Sequence, residues 1–403
     1  PPWATKFPTC AEFPPHRHPR LSPEINWQWI IELGGTRNTV DDAEEIRDDL
    51  LRLIYGLWDH VKNHCPELKA KAANHELVWV SHVAGKRESR RLIGDCVLTE
   101  RDIAGQTLFP DRVAYGAWCV DDHPPEGFFY KGPPSYCDLF GVHFSIPFRS
   151  LYSKNVENLL MAGRDISASH LAMADTRVML TCAVIGQAAG TAAAMCTERG
   201  IAPRLLGQSH TEELQQQLLK DGAYLIRLPN RDPHDLARRA TVTASSRRTR
   251  PSGEVMEAAN AVNGFARTED GKTNAWAADP KTPLPQWLEL AWARPETFNM
   301  VHVVFLTKRH APTRFAVQAW SGSAWKTLGE VSGNSHRRHV LGFVSTTASR
   351  LRLLVLEAGK VEWGVCEIRV YDEPSRLVEI AARAARNRDL PDPPPALGWD
   401  DAK

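Results

Sequence analysis

NLLMAGRDISASHLAMADTRVMLTCAVIGQAAGTAAA, residues 158–194, is the stretch on which the fold turns. Asn158–Gly163 is a short apolar run closed by glycine and predicts a buried strand. A polar loop follows, and a helix is predicted from about Thr176 to Arg199. Gly186 and Gly190 stand four apart in it, beside Ala188, Ala189, Ala192 and Ala193. Side chains this small let a neighbouring backbone or a ligand approach closely. The helix N-terminus adds unpaired N–H groups and a positive dipole end, suited to an anion. The pattern alone fits plain α/β packing as well as a ligand cradle.

Upstream, Ile46, Leu50, Leu53, Leu57 and Val61 recur at steps of three and four and predict an amphipathic helix over 41–62, begun near Thr39 and stopped at Cys65-Pro66. Leu77–Val83 reads as a short strand. Residues 110–150, rich in Pro, Gly and aromatics, read as the irregular wall of a cavity. A second helix is predicted over 211–220, ending at Asp221-Gly222. After residue 240 the period becomes two. Trp287–Trp292, Val301–Leu306, Arg314–Trp320, Leu351–Leu356 and Glu367–Tyr371 predict short strands of an antiparallel sandwich, with Ser321-Gly322-Ser323 as a hairpin turn.

The 403 residues carry 49 Lys+Arg against 48 Asp+Glu, a net charge of +1. That balance argues against a nucleic-acid-gripping surface, and no run approaches the roughly 20 continuous apolar residues of a membrane span. Eight cysteines are too sparse for a disulfide scaffold. Cys119 and Cys137 bracket a loop and could bond in an oxidising compartment. Cys182 and Cys196 read as core residues, and no Cys/His set stands at metal-binding spacing. Arg87, Arg90 and Arg91 surround Glu88; they read equally as cleft arginines that orient a substrate and as a buried Arg–Glu network. His123 and His170 are candidate bases, against the commoner reading of a hydrogen-bonded structural histidine.

The literal residues go further than the pattern. NLLMAGR, ISASH, RVM and IGQAAGTAAA, preceded by GGTRNTVDDAEEIRDDLLRLIYGLWDHVKN (34–63), GKRESRRLIGD (85–95) and the turn Asp121-Asp122-His123, resemble FAD-dependent oxidoreductases with a glutathione-reductase-type two-dinucleotide fold. The resemblance covers about residues 1–225. It implies FAD as cofactor, with Ala162, Gly163, Arg164 and Asp165 along the ribityl-pyrophosphate side and Gly186, Gln187 and Ala188 at the isoalloxazine. His170, His123 and Arg87 become the catalytic candidates. Such proteins hold the ADP half of FAD on a strand–GxGxxG–helix unit. GxGxxG does not occur here, so the chain reads as the C-terminal portion of the domain, the missing half lying upstream or in a partner.

ATVTASS (240–246), AANAVNG (258–264), QWLELAW (286–292), FAVQAWSGSAW (315–325), RLRLLVL (350–356) and CEIRVYD (366–372) resemble the discoidin-like (coagulation-factor type C) jelly roll, which includes many carbohydrate-binding modules. The resemblance implies sugar stacking on loop aromatics, with Trp276, Trp363 and His310 as candidates and Trp287 and Trp325 in the core. It also implies a structural calcium ion near Asn263 and Glu367.

The expected architecture is an incomplete α/β flavin-type domain (1–232), an all-β jelly-roll sandwich (238–373) and a partly disordered Pro-rich tail (374–403). The expected function is hydride transfer from a C–H bond of a small-molecule or glycan substrate to flavin. The competing expectation is a non-catalytic carbohydrate-binding protein with a degenerate flavin fold. The glycan-directed module leans localisation towards export.

Overall fold

The computed structural model describes residues 1–21, 29–138, 140, 143–359 and 362–388, and the chain forms two compact units, Pro1–Leu218 and Leu219–Pro395. Each is taken by itself.

In the first unit, α1 (Ala43–Asp59) buries Ile46, Leu53 and Leu57. Leu53 and Leu57 pack with Phe7 and Phe128 in one apolar cluster. Asp42 stands at the N-cap, three residues after Thr39, and Asn38 organises the turn before it by accepting the N–H groups of Val40 and Asp41. The helix widens into a π turn, His60–His64, which Cys65 closes by donating its N–H to the His60 carbonyl at 2.8 Å. Next come α2 (Glu100–Ala104), β1 (Arg112–Gly116), β2 (Val120–Asp122), β3 (Tyr136–Asp138) and β4 (Phe144–Pro147). They form two antiparallel pairs, β1–β4 and β2–β3. Cys119 and Cys137 are disulfide-bonded beside β2–β3.

The decisive stretch forms otherwise than predicted. Asn158–Gly163 forms no strand; it contributes one isolated bridge, Tyr152 to Leu160, flanked by the Met161 N–H on the Leu151 carbonyl and the Ser153 N–H on the Leu159 carbonyl. The helix predicted from about Thr176 to Arg199 forms as α4 (Met179–Arg199), and the segment read as a polar loop before it holds a further helix, α3 (His170–Thr176), set off by extended Val178. Arg177, at the break, donates to the carbonyl and carboxylate of Asp121. α4 buries Ile185, Ala188, Ala189 and Ala192 and ends in left-handed Gly200. It is also the one helix among the described residues long and apolar enough to cross a membrane. Residues 77–83 form no strand; Val78, Trp79 and Val83 are exposed. α5 (Pro203–Ser209) and α6 (Thr211–Lys220) follow, α6 at its predicted bounds.

The second unit is a sandwich folded from one sheet. Beyond β5 (Thr241–Ala244) and the small pair β6 (Arg248–Thr249) and β7 (Val255–Met256), its frame is β8 (Gln286–Phe305), β9 (Arg314–Trp320), β10 (Trp325–Val331), β11 (Arg338–Glu357) and β12 (Val365–Tyr371). β8 and β11 are each 20 residues long and belong to both layers. The first half of β8 pairs β5 and the end of β11, which β9 and β10 continue; its second half pairs β12 and the start of β11. Register shifts on β11 between Gly342 and Thr346 and between Ala348 and Arg350 bend it between layers. Leu288, Leu290, Val301, Val303, Phe315, Val317, Leu351, Leu353, Ile368 and Val370 meet in one core. At about 25 cal/mol per Å² of apolar surface, that burial is the main stabilising term.

Leu236 and Ala237 belong to this core, and Lys220 pairs with Glu373. The first domain therefore ends before the expected residue 232. The expected tail also begins late: Ser375–Arg388 is helix α7, while 389–403 lie outside the described residues.

Candidate functional site

The first unit contains a cavity of about 1280 Å³. Four segments wall it: Trp29 to Thr39, the start of α1 (Ala43 to Leu50), residues 82–89, and the turn after β2 facing α3. β2–β3 pairing and the Cys119–Cys137 bond hold that turn. α3 is fixed by its cap: Ser169 Oγ accepts the Ala172 N–H at 3.2 Å and donates to Glu100 at 2.9 Å.

All three catalytic candidates line this cavity. Arg87 donates to Glu32 Oε2 at 2.9 Å and lies against both ring nitrogens of His123, at 3.0 and 2.9 Å. His123 Nδ1 is 2.7 Å from Glu32 Oε1. A neutral His123 with its proton on Nδ1 satisfies both neighbours, donating to Glu32 and accepting from Arg87 at Nε2. Its lone pair is then occupied, which makes it a positioning residue. His170 is placed differently. Its side chain is 54% exposed; Nδ1 is 2.7 Å from Glu88 Oε2 and Nε2 is 3.1 Å from Asp122 Oδ1. Glu88 holds the ring, and Nε2 faces the open cavity beside a second carboxylate.

Arg87 thus joins both earlier readings, a network member that also lines the cleft. Its partner is Glu32, whereas Glu88 pairs with Arg91 and His170. Sequence reasoning missed Glu32, Arg177 and Trp29. Trp29 meets the edge of His123 at 5.5 Å. Burial and the adjacent Arg87 hold the Arg177 guanidinium below its usual range, against the pull of Asp121. No local pattern marks Glu32; only folding brings it 91 residues back onto His123.

None of the seven cofactor candidates lines the cavity. Ala162 and Arg164 are exposed, and Arg164 donates to the carbonyls of Lys86 and Arg87 on the cavity-wall loop. Gly163 has φ +101°, a conformation that excludes most side chains. A Cβ there would meet Cys182 Sγ at 3.9 Å, and one on Gly186 or Gly190 would meet nothing within 4 Å. Asp165 Oδ1 is buried without a hydrogen-bond partner. Gly163, Gly186 and exposed Gln187 therefore leave open, small-residue surface with one unsatisfied acceptor, which fits a flat ring and its chain. Ala188 is corrected: it is fully buried on the opposite side of α4. The positive end of the α4 dipole does not reach Gly186, because α4 begins at Met179 and Gly186 lies two turns inside it.

In the second unit Trp276 is fully buried and donates Nε1–H to the Ser246 carbonyl at 3.0 Å, so it is a core residue and no glycan platform. Trp363 is half-buried, edge-on to Trp276 at 5.4 Å, and its neighbour Gly364 donates its N–H to the His310 carbonyl. Trp363 and His310 thus stand on adjacent loops. Trp325, expected in the core, is half-exposed under Arg352 at 4.3 Å, and Trp287 is also only partly buried.

Of the two residues expected at calcium, Glu367 keeps one buried oxygen, Oε1, without a hydrogen-bond partner, while the other donors are engaged. Asn263 Oδ1 accepts the Phe265 N–H and its amide donates to Asn274, while Glu367 Oε2 is bound by Arg369 at 2.7 Å. Arg337, close enough to Glu367 to feel its charge, donates to the carbonyls of Ala266 and Leu306. Guanidinium groups stand where cation ligands were expected. The reading that no Cys/His set is arranged for a metal is corrected in the opposite direction, by Cys10, His18, His60 and Cys65.

Asp175 in α3 is 1% exposed and burial pushes its carboxyl up to about 7. The native state therefore holds a proton that the unfolded chain releases near pH 4, and stability falls as pH rises through about 7. Asp175→Asn is expected to gain about 1.4 kcal/mol over wild type between about pH 6 and about pH 8, read by urea unfolding. An unchanged difference would show that Asp175 is ionised in the fold.

The comparisons with known proteins agree with this division. No curated protein sequence matches the chain. The C-terminal part is similar to solved carbohydrate-binding modules. Chitosan-binding module 1 of a Paenibacillus sp. IK-5 chitosanase/glucanase is 25% identical, over 34% of this chain and 98% of that one, with TM-score 0.29. The galactose-bound family 32 module of C. perfringens NanJ is 14% identical over the same shares, with TM-score 0.30. Residues 3–218, more than half of the sequence, match the family model described as FAD dependent oxidoreductase. The chain belongs to the FAD dependent oxidoreductase family.

Proposed function

We propose that the first unit is the substrate-binding part of an oxidoreductase that removes hydride from a C–H bond of a hydroxyl- or amine-bearing substrate, and that the second unit binds carbohydrate. The cavity where His170, His123 and Arg87 converge with the carboxylates of Glu32, Glu88 and Asp122 carries the first half of this reading. The ordered discoidin-like motifs and the Trp363–His310 loops support the second. When bound, FAD supplies the two-electron acceptor for the departing hydride. Gly163, Arg164, Asp165, Gly186 and Gln187 are the residues to hold it.

The chain's own contribution is positional and acid–base. The cavity's carboxylates and arginines orient a polar substrate; with the substrate hydroxyl or amine displacing Asp122 from His170 Nε2, the neutral ring, held by Glu88 at Nδ1, takes that proton as the C–H bond is oxidised. Glu88 steadies the resulting imidazolium through Nδ1, and Asp122 offers the next acceptor. Arg87 and Glu32 keep His123 fixed in the wall.

The test is anaerobic flavin bleaching by a panel of sugars and sugar alcohols, with FAD added to the full chain. His170→Gln is expected to keep its flavin and to slow bleaching about 100-fold. Unchanged rates would remove His170 from the chemistry. The competing reading is a non-catalytic carbohydrate-binding protein. Failure of the full chain to retain any added FAD, together with retained glycan binding, would establish it.

A further inference from the structure

Cys10, His18, His60 and Cys65 lie in the first unit, outside the cavity lining, and no step proposed above uses them. Their ligand atoms all fall within 4.8 Å of one another. Cys10 Sγ is 3.9 Å from Cys65 Sγ and 3.5 Å from His60 Nε2, and Cys65 Sγ is 3.7 Å from His18 Nε2. A zinc ion with Zn–S of about 2.3 Å and Zn–N of about 2.0–2.1 Å has tetrahedral S···S edges of ~3.8 Å and S···N edges of ~3.6 Å. The observed separations are those edges.

The ring orientations agree. Each histidine turns Nε2 to the cluster and engages Nδ1 with a backbone carbonyl, His60 with Phe7 at 2.7 Å and His18 with Pro19 at 2.9 Å. Such outer bonds fix the tautomer that leaves Nε2 as the ligand atom. The π turn supplies the remaining geometry. On an α-helix, residues five apart face directions about 140° apart; the wider turn over His60–His64 brings His60 and Cys65 to one side. Phe13 closes the site, its ring 4.7 Å from His60 and 5.3 Å from His18. His60 and Cys65 are fully buried, Cys10 is exposed and His18 intermediate, so an ion could enter from the Cys10 side.

We propose that these four side chains form a Cys₂His₂ structural zinc site that staples the N-terminal strap, residues 10–18, to the end of α1. Binding releases the two thiol protons to solvent, and two thiolates with two neutral imidazoles give a centre of zero net charge. Four protein ligands leave no open position, so the ion is structural. The signal is hidden in sequence because a seven-residue and a four-residue spacing lie on opposite sides of a 41-residue gap, and neither half resembles a zinc motif alone.

The experiment is elemental analysis of the purified, reduced full chain after zinc loading and dialysis, followed by cobalt exchange. One zinc per chain is expected, with a thiolate-to-cobalt charge-transfer band in the near ultraviolet. Cys10→Ala, at an exposed position, is expected to stay folded by circular dichroism while losing the band and at least 100-fold in zinc affinity. Cys96→Ala is expected to keep both. Absence of zinc from the reduced chain would overturn the site, as would full retention by the Cys10→Ala/His18→Ala double variant. A Cys10–Cys65 disulfide in peptide maps that re-forms in the presence of zinc would also replace the ion with a redox pair. None of these readouts depends on flavin or turnover.

Discussion

Trp276→Ala is expected to destabilise the β-sandwich unit by roughly 3–5 kcal/mol, the range for truncating a fully buried large aromatic. Trp276 is among the largest completely buried side chains and belongs to the main core cluster. Truncation also leaves the Ser246 carbonyl without its Nε1–H donor. Calorimetry of the full chain should show one unfolding transition moved to lower temperature, with glycan binding lost only as that unit melts. Trp363→Ala makes the contrast. Trp363 sits half-buried against the edge of that core, so its removal is expected to weaken glycan binding while changing stability by about 1 kcal/mol or less. If Trp276→Ala instead abolished binding with the transition in place, the indole would be a ligand contact and the core assignment would fail.

The same tryptophan shows where sequence reading reached its limit. The resemblance puts Trp276 on a loop, and its small neighbours Ala275 and Ala277 carry no signal against that. What buries it is an isolated bridge to Val365, on a strand 89 positions later. The long strands were misread for the opposite reason. Trp287–Trp292 and Val301–Leu306 both alternate, but the inward-facing residues are Leu288 and Leu290 in one half and Val301 and Val303 in the other. That change of parity reads as two strands, and the structure joins them by bending one strand across both layers. β9 and α6 were legible to the residue because their pattern is local and their boundaries carry turn residues.

The candidate site divides along the same line. His123, His170 and Arg87 were readable from short motifs, and folding does gather them at one cavity. Glu32, the partner of Arg87 and His123, and the nearby Arg177 were silent, since an isolated acid or base takes meaning only from what it touches. α3 was equally hidden, inside a segment that reads as a polar loop. Thr176-Arg177-Val178 has no Gly or Pro, and the helix yields there while the Arg177 side chain reaches Asp121. Propensity is a weak prior once a partly buried ion pair is available.

Arg369→Met is expected to cost the second unit about 3–5 kcal/mol, because it strips the cation from buried acids. Arg369 is 3% exposed, binds Glu367 at 2.7 Å and donates to the Leu219 carbonyl at 2.7 Å. Its charge also acts on Asp235, whose carboxyl burial pushes up to about 6 even though Arg369 and the N–H groups of Val370 and Ala237 pull it down. Removing the guanidinium takes away one of those pulls, so the Asp235 carboxyl rises further. An acid raised in the fold stabilises fully below its unfolded value near 4 and loses that stabilisation as pH climbs through its folded value. The Arg369→Met deficit should therefore be smallest near pH 4 to 5 and grow towards about pH 8, measured by urea unfolding of the full chain at each pH. Arg369→Met with Glu367→Gln should cost less than the sum of the two single changes, since the double variant leaves no charge at position 367 unpaired. Additive losses and a pH-independent deficit would mean that the pair is hydrated in solution and that the sandwich interior is wetter than its packing implies.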